Sequence, residues 1–262
     1  MKTKLFYFSG TGNSLVVAER VKEAFKDSEI ISISDILKNS DSEIGTEITA
    51  ENIGFIFPLY CFSLPEIVIR FLKKYRFSAK YIFAVVTRAG GAWQGGALSH
   101  ADKLLKAGGT RLSAGYYIRM PTNYLPFATN VAEETIKQQL KKADKQIDNV
   151  IKRLVECQCT RDGEYTNFIR SAVHPSFIKY VASTDNGFHT DNNCNGCGIC
   201  EKVCKVSNIN MKDNKPQWQH KCQSCMACIN YCPCKAIQYK KKTQALYRYH
   251  HPEVPVNKYI NS

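Results

Sequence analysis

The fold is decided by residues 4–21, KLFYFSGTGNSLVVAERV. The apolar run Lys4–Phe8 predicts a buried strand, and Ser14–Phe25 has the apolar spacing of an amphipathic helix. Between them lie small hydroxyl residues and glycines, whose backbone N–H groups can converge on an anion at the positive end of the helix. The stretch therefore predicts a strand, a phosphate-binding loop and a helix. A Gly-rich turn that only caps the helix is the alternative.

The candidate phosphate ligands are the consecutive residues of this loop, Ser9, Gly10, Thr11, Gly12, Asn13 and Ser14. The loop lacks the third glycine of the dinucleotide fingerprint and the Gly-Lys-Ser/Thr of nucleoside triphosphate loops. Because it contains no lysine or arginine, we expect it to hold a phosphate monoester with neutral donors.

Strand and helix patterns alternate to about residue 156, which favours a parallel sheet covered by helices. The further predicted strands are Glu29–Ile33, Asn52–Phe57, Tyr81–Val86 and Arg111–Ile118, and the further predicted helices are Leu64–Tyr75, Gly95–Ala107 and Val131–Val155. Ligands of such sheets bind at the carboxyl ends of the strands, so the loops after the third and fourth strands should join the phosphate loop. They supply the remaining candidate ligands, Pro58, Leu59, Tyr60, Cys61, Thr87, Arg88, Ala89, Gly90, Gly91 and Trp93.

The segment FSGTGNS, residues 8–14, resembles the FMN-phosphate motif of flavodoxins, with Ser14 where many members have threonine. The resemblance covers residues 1–156. It implies an α/β fold of the flavodoxin-like type, a doubly wound parallel five-stranded sheet in the order 2-1-3-4-5. It also implies FMN as the cofactor, with Tyr60 stacked on the isoalloxazine ring.

Three other residues of these loops have open roles. Arg88 either stabilises negative charge on reduced flavin or forms a surface salt bridge. Trp93 either covers the ring or packs within an exposed loop. Cys61 lies close enough in sequence to Tyr60 to act as a redox thiol, or it is a structural residue.

Eight of the twelve cysteines fall in two runs with the same C-x2-C-x2-C-x3-C spacing. The runs are Cys194, Cys197, Cys200, Cys204 and Cys222, Cys225, Cys228, Cys232. Clustered cysteines attached to a cysteine-poor domain favour metal ligation in a reducing compartment over a secreted disulfide framework. Zinc sites favour pairs with longer spacers, whereas closely spaced thiolates on tight turns can each reach a different iron of one cubane. Two iron-sulfur clusters are therefore predicted.

The double run resembles the two-cluster bacterial ferredoxins, in which the fourth cysteine of each run ligates the other cluster. The resemblance implies a small α+β ferredoxin-like domain with two 4Fe-4S clusters. The first cluster would be held by Cys194, Cys197, Cys200 and Cys232. The second would be held by Cys222, Cys225, Cys228 and Cys204.

The sequence departs from that pattern at one position and carries surplus cysteines. Lys205 follows Cys204 where Pro233 follows Cys232, so altered stability or potential is expected of the second cluster. Cys234 is surplus to eight ligands and is interpreted as a packing residue, or as a replacement ligand under oxidation. Cys157 and Cys159 are interpreted as structural.

The sequence divides into four segments. Residues 1–156 form the predicted FMN-binding domain, and residues 157–190 form a structured connection with a short helix around Ser176–Ala182. Residues 191–237 form the ferredoxin-like domain. Residues 238–262 form a basic tail that packs back or stays mobile.

The formal net charge is +13. Two ligated clusters and a flavin phosphate would reduce it to roughly +7, which still favours acidic partners. The run Lys240–Lys242 is either a solvated part of the tail or a docking patch. The sequence has no apolar run of membrane-helix length and no helix-turn-helix pattern, so a cytoplasmic protein without a membrane span or nucleic-acid partner is expected.

Together the two resemblances match flavodoxin-ferredoxin fusion proteins of the EFR type, which are common in anaerobes. They imply an electron-transfer protein that accepts electrons from ferredoxin-like donors and relays them between its clusters and FMN. The partners would be acidic redox proteins of ferredoxin or flavodoxin type, and a small-molecule acceptor stays open. Whether the chain is an oxidoreductase or a carrier also stays open. The alternative is a redox-responsive binding module without turnover.

Overall fold

Short apolar segments in the first half of the chain form strands, in a computed structural model that describes residues 2–39, 43–90, 95–164, 167–240 and 243–262. The strands of the first half are β1 (Thr3–Tyr7), β2 (Ser28–Ser32), β3 (Thr46–Thr49), β4 (Asn52–Pro58), β5 (Tyr75–Ser78), β6 (Tyr81–Arg88) and β7 (Ala114–Arg119). The helices are α1 (Asn13–Ala24), α2 (Ile33–Asn39), α3 (Glu66–Lys74), α4 (Ala97–Ala107), α5 (Glu133–Val155) and α6 (Asn167–Tyr180).

One sheet of the described chain has five parallel strands in the order β2-β1-β4-β6-β7. Counted along the chain, this is the order 2-1-3-4-5, so the predicted flavodoxin-like α/β topology is confirmed. The central strands β4 and β6 are almost wholly buried because helices cover both faces of the sheet. The short parallel pair of β3 with β5 was not predicted.

Helices on the two faces bury separate apolar clusters. Val17 and Val21 of α1 and Ile147 and Leu154 of α5 belong to the cluster on one face. The other cluster takes its helical residues from α3, α4 and Ile33 of α2, with partly buried apolar residues of α2 packed against it. The sheet edge where β1, β4 and β6 end therefore lies between two well-packed helical layers.

Most predicted elements are present with shifted ends. The fifth sheet strand begins at Ala114 instead of Arg111, because Leu112 N donates to Asp102 and Ser113 Oγ accepts from Ile82 N. The predicted short helix at Ser176–Ala182 lies within or beside the longer helix α6, which continues through Pro175. A proline usually ends a helix, so the sequence pattern underestimated this element.

The chain from Phe188 onward, which includes the cysteine-rich segment 191–237, forms short strands and short helices. They are β8 (Phe188–Thr190), α7 (Ile199–Lys202), β9 (Ile209–Lys212), β10 (Lys215–Trp218), α8 (Ala227–Asn230), β11 (Ile237–Tyr239) and α9 (Val256–Ile260). In the described residues β8 pairs with β11 and β9 with β10, both antiparallel. The strand β8 lies just before residue 191, where the ferredoxin-like segment was predicted to begin, and β11 extends past residue 237, where it was predicted to end.

The two cysteine runs have the same backbone conformation. Left-handed residues occur at equivalent positions of both runs, as the pairs Gly196 and Ser224, Gly198 and Met226, and Ser207 and Lys235. Each run then forms one short helix, α7 or α8, at the third cysteine. The twofold cysteine pattern of the sequence is thus also a repeat of the backbone.

The C-terminal residues pack back on the sheet domain. Tyr249, Val254 and Tyr259 are buried, with exposed fractions of 3%, 0% and 1%. Of the two expectations for this tail, packing is the one observed for residues 243–262. None of the helices in the described ranges is long and apolar enough to cross a membrane.

Candidate cofactor sites

The predicted phosphate loop connects β1 to α1 and is buried. Gly12, which precedes α1, has a left-handed φ of 97°, and a Cβ there would lie 2.8 Å from Cβ of Val254. Gly12 N donates to Ser9 Oγ over 3.1 Å. Ser14 Oγ and Thr87 Oγ1 lie 2.7 Å apart, which joins the loop to the end of β6. The structure therefore brings these two predicted segments of the sheet edge together.

The Thr11 hydroxyl is the unsatisfied group of the loop. Thr11 is 1% exposed, and its Oγ1 has no hydrogen-bond partner among the described residues. A buried hydroxyl without a partner costs about 1–3 kcal/mol. It lies one residue before the cap of α1, where the helix end favours negative charge. This orphaned donor fits a phosphate oxygen.

Tyr60 lies between the phosphate loop and the second cysteine run. A Cβ on Gly10 would be 2.9 Å from the Tyr60 hydroxyl and 2.5 Å from the Cys225 carbonyl oxygen. The hydroxyl is buried and has no partner in the described part of the chain. Burial, followed by Cys225 and Cys222, raises the pKa of Tyr60. The ring meets Phe8 edge-on at 6.3 Å, and its predicted stacking on flavin stays a prediction.

The loop after β4 has a strained backbone. Cys61 and Phe62 have φ values of 45° and 64°, in the left-handed region that non-glycine residues seldom adopt. Tyr60 and Ser63 exchange two backbone hydrogen bonds of 2.9 Å, and Leu59 N donates to Thr87 O over 2.8 Å. Local strain of this kind concentrates at ligand sites. Burial raises the pKa of the Cys61 thiol, which disfavours a reactive thiolate.

The loop after β6 is only partly described. Arg88 donates to Ala89 O over 3.3 Å, and burial, followed by Arg119, lowers its pKa. Gly90 is exposed, and a Cβ on it would meet no atom of the described residues within 4 Å. Gly91 and Trp93 lie outside the described residues.

The first predicted ligand set lines one cavity. Its walls include the thiols predicted for the first cluster, Cys194, Cys197, Cys200 and Cys232, together with the surplus Cys234. Burial, followed by Cys232 and Cys197, raises the pKa of Cys200 to about 11. Cys197 is the exposed member of this set.

The second predicted set lies deeper. Cys222 and Cys228 are buried, and burial raises the pKa of both thiols. The charges that raise the pKa of Cys228 further come, in order, from Cys225, Cys222, Cys204 and Cys200. Cys204 therefore lies among the thiols of the second run, and Cys232 among those of the first.

Backbone N–H groups orient three of these thiols. Asn208 N donates to Cys204 Sγ over 3.2 Å and Ala236 N to Cys232 Sγ over 3.3 Å, at equivalent positions of the two runs. Ser224 N donates to Cys222 Sγ over 3.2 Å. Hydrogen bonds to cluster sulfurs are one means by which a protein tunes reduction potential.

The arrangement of the thiols differs from that of a site for one metal ion. Across the described ranges, no three His, Cys, Asp or Glu side chains form a site for a single metal ion. A cubane carries each thiolate on a different iron, so its ligands stand further apart than those of zinc. Two sets of four cysteines offer the thiolate donors that two cubanes would need.

Asn123 was not predicted and connects the two candidate sites. Its side-chain amide donates to Cys225 O over 3.2 Å, and its carbonyl accepts from Asn230 over 3.1 Å. Gln223 accepts from Ile67 N over 3.0 Å. Gln223 thus holds the second cysteine run to α3, and Asn123 lies beside the phosphate loop, because a Cβ on Gly10 would be 3.3 Å from its Nδ2.

The C-terminal segment, residues 249–259, was also missed as part of the site. His251 N donates to Thr11 O over 2.8 Å, Tyr249 Oη to Asn13 Oδ1 over 2.7 Å and Tyr259 Oη to Ser9 O over 2.8 Å. These contacts cover the phosphate loop on its solvent side. Local sequence patterns carried no signal for them, because each joins residues from opposite ends of the chain.

Lys205, which stands where a proline is expected, contacts the C-terminal segment. Its Nζ donates to Ile260 O over 3.2 Å and to Ser262 O, and it lies 5.1 Å from the ring centre of Tyr259. Proline has no side-chain donor that could do this. Lys205 therefore connects the second cysteine set to the C-terminal segment that contacts the phosphate loop.

We expect His251 to make stability depend on pH. Burial lowers its pKa to about 4, while the unfolded value is near 6.5. The folded state binds fewer protons between these values, so stability is full above about pH 6.5 and falls as pH drops towards 4. Replacing His251 by glutamine should reduce the loss between pH 7 and 5 by about 2 kcal/mol. Urea unfolding at both pH values measures this difference, and equal losses in the two proteins would contradict it.

Comparison with known proteins gives likeness to solved structures only. No protein-family model and no curated protein sequence matches the chain. A flavoprotein structure from Bacteroides uniformis shows 20% identity over 53% of this chain and 97% of that chain, with a TM-score of 0.36. An azoreductase from Bacillus anthracis shows 16% identity over 57% of this chain and 100% of that chain, with a TM-score of 0.36. A flavodoxin from the domain Archaea shows 14% identity over 58% of this chain and 99% of that chain, with a TM-score of 0.29. At these TM-scores the function has to be argued from the site itself.

Proposed function

We propose that the protein transfers electrons between two 4Fe-4S clusters and an FMN bound at the phosphate loop. The observation that carries the proposal is the contact between the two candidate sites, where the Cys225 carbonyl packs on Gly10. Clusters pass single electrons and FMN holds one or two, so adjacent sites allow a relay between one-electron and two-electron carriers.

The chain's own residues would bind and shield these groups. Cys194, Cys197, Cys200 and Cys232 would hold the first cluster, and Cys222, Cys225, Cys228 and Cys204 the second. The loop Ser9–Ser14 would hold the FMN phosphate with neutral donors, including the orphaned Thr11 hydroxyl. Burial of Cys222 and Cys228 would limit the access of water to the second cluster.

We propose that electrons pass from an acidic ferredoxin-like or flavodoxin-like donor to the clusters, then to FMN, and from FMN to an acceptor. The net charge of +13 supports an acidic donor, because opposite charges speed association. A small-molecule acceptor at FMN is part of the same proposal. Ala89 and Gly90 are exposed, which supports access from solvent.

Anaerobic purification with quantitation of iron, sulfide and flavin tests the proposal. We expect about eight iron and eight sulfide atoms and one FMN per chain. Reduction should give the paramagnetic signal of a reduced 4Fe-4S cluster, followed by flavin reduction. Protein without flavin in its acid extract, or without a cluster signal, would falsify the relay. Both cofactors without turnover of any acceptor would favour a redox-responsive binding module.

A further inference from the structure

A cleft with a basic rim lies between the sheet domain and the cysteine-rich segment. Lys38 of α2, Arg70 of α3 and Lys221 before the second cysteine run contribute exposed cations to it, and the exposed His220 also lines it. The floor includes the buried apolar residues Ile67 and Val181. The cleft is therefore apolar at its base and positively charged at its mouth.

The cleft borders two thiols of the second predicted cluster. Lys205, which directly follows Cys204, and Gln223, which directly follows Cys222, both line it. A molecule seated in the cleft would contact the chain immediately beside both ligands.

Two acids near the cleft, Glu66 and Asp185, are bound by neighbouring side chains. The Glu66 carboxylate accepts from Gln223 over 2.9 Å and lies 3.8 Å from Arg70. Asp185 is buried and accepts from His220 Nδ1 over 2.9 Å. The rim therefore presents net positive charge, which complements an acidic surface.

We propose that this cleft is the docking surface for an acidic iron-sulfur electron donor. The inference deepens the proposed function and rests on it. Transient electron-transfer complexes bury little area and depend on charge complementarity around a small apolar centre, and the cleft offers both. In the docked complex one electron leaves the donor's reduced cluster and enters the oxidised second cluster. No proton or further reactant is needed.

The test measures electron transfer from a chemically reduced, acidic two-cluster ferredoxin to the full-length protein by stopped-flow absorbance. The variant K38E/R70E reverses two rim charges without altering the cysteine-rich segment. The matched control, K141E/K145E, reverses two exposed charges of α5, on the opposite face of the sheet. We expect the rim variant to be slower by about tenfold or more at low salt, with the difference lost at about 0.5 M salt, and the control to change little.

Each other outcome counts against the cleft. Equal slowing by the α5 variant would show that only net charge matters. Undiminished transfer in the rim variant would place docking elsewhere. Slowing of the unmodified protein by malonate, relative to sodium chloride at equal ionic strength, would assign the cleft to small anions. Iron and flavin content are measured on every sample, so failure of docking in a fully loaded protein is distinguished from failure of the proposed relay.

Discussion

Replacing Cys204 and Cys222 together by serine is expected to leave about four iron atoms per chain, whereas replacing Cys204 and Cys194 together is expected to leave almost none. The reason is the crossed ligand set. Cys204 lies among the thiols of the second run, so it and Cys222 would serve one cluster, whereas Cys194 lines the cavity of the other. Each cluster lost removes four irons.

An uncrossed arrangement makes the opposite prediction. If each run held its own cluster, Cys204 and Cys194 would share one, and their double variant would be the one to keep four irons. The measurement is iron and sulfide per chain after anaerobic purification, with the signal of the remaining cluster as a second readout. C157S is the control, because Cys157 is exposed and outside both sets, and it should keep about eight irons.

The sheet was predictable because its signals are local. The strand and helix periods around FSGTGNS, and the apolar runs of β4 and β6, are written in consecutive residues. They predicted a parallel sheet covered by helices, and the resemblance of FSGTGNS to the flavodoxin motif implied the order 2-1-3-4-5. The errors were also local. The helix α6 is longer than predicted because Pro175 was not expected inside a helix. The strand β7 begins later than predicted because side-chain hydrogen bonds hold the residues around Ser113.

The contacts around the site were not predictable in the same way. Asn123, Tyr249 and Tyr259 belong to no motif, and each acts through a partner far away in sequence. Lys205 was noticed only as a missing proline. Its hydrogen bonds to the last residues show a gain of contact where the motif alone indicated a loss. Metal ligands could be named because their spacing is fixed by cluster chemistry, whereas contacts that cover a site depend on the whole fold.

These contacts tie the proposed relay into one unit. Tyr231, next to Cys232, stacks at 4.7 Å on both His250 and Tyr259 and donates to Val254 O over 3.1 Å. The same segment covers the phosphate loop through His251 and Tyr259. Loosening this segment should therefore disturb both proposed sites together, since it contacts the phosphate loop and Tyr231.

Replacing Thr11 by valine is expected to weaken FMN binding strongly without destabilising the flavin-free protein. Valine has the shape of threonine but removes the buried hydroxyl that lacks a partner among the described residues. The flavin-free protein should unfold at the same free energy or about 1 kcal/mol higher, because an unsatisfied donor is gone. A hydrogen bond to a charged phosphate contributes about 1.5–3 kcal/mol, so the dissociation constant should rise about tenfold to a hundredfold.

Riboflavin, which lacks the phosphate, separates this role from a general loosening of the site. T11V should bind riboflavin as the unmodified protein does, since only the phosphate would meet the hydroxyl. The measurement is quenching of flavin fluorescence when flavin-free, cluster-loaded protein is titrated with each ligand. S14A is the matched control: its hydroxyl already bonds Thr87, so its removal should lower the stability of the flavin-free protein, unlike that of Thr11. Equal losses for FMN and riboflavin in T11V would place the phosphate away from this loop.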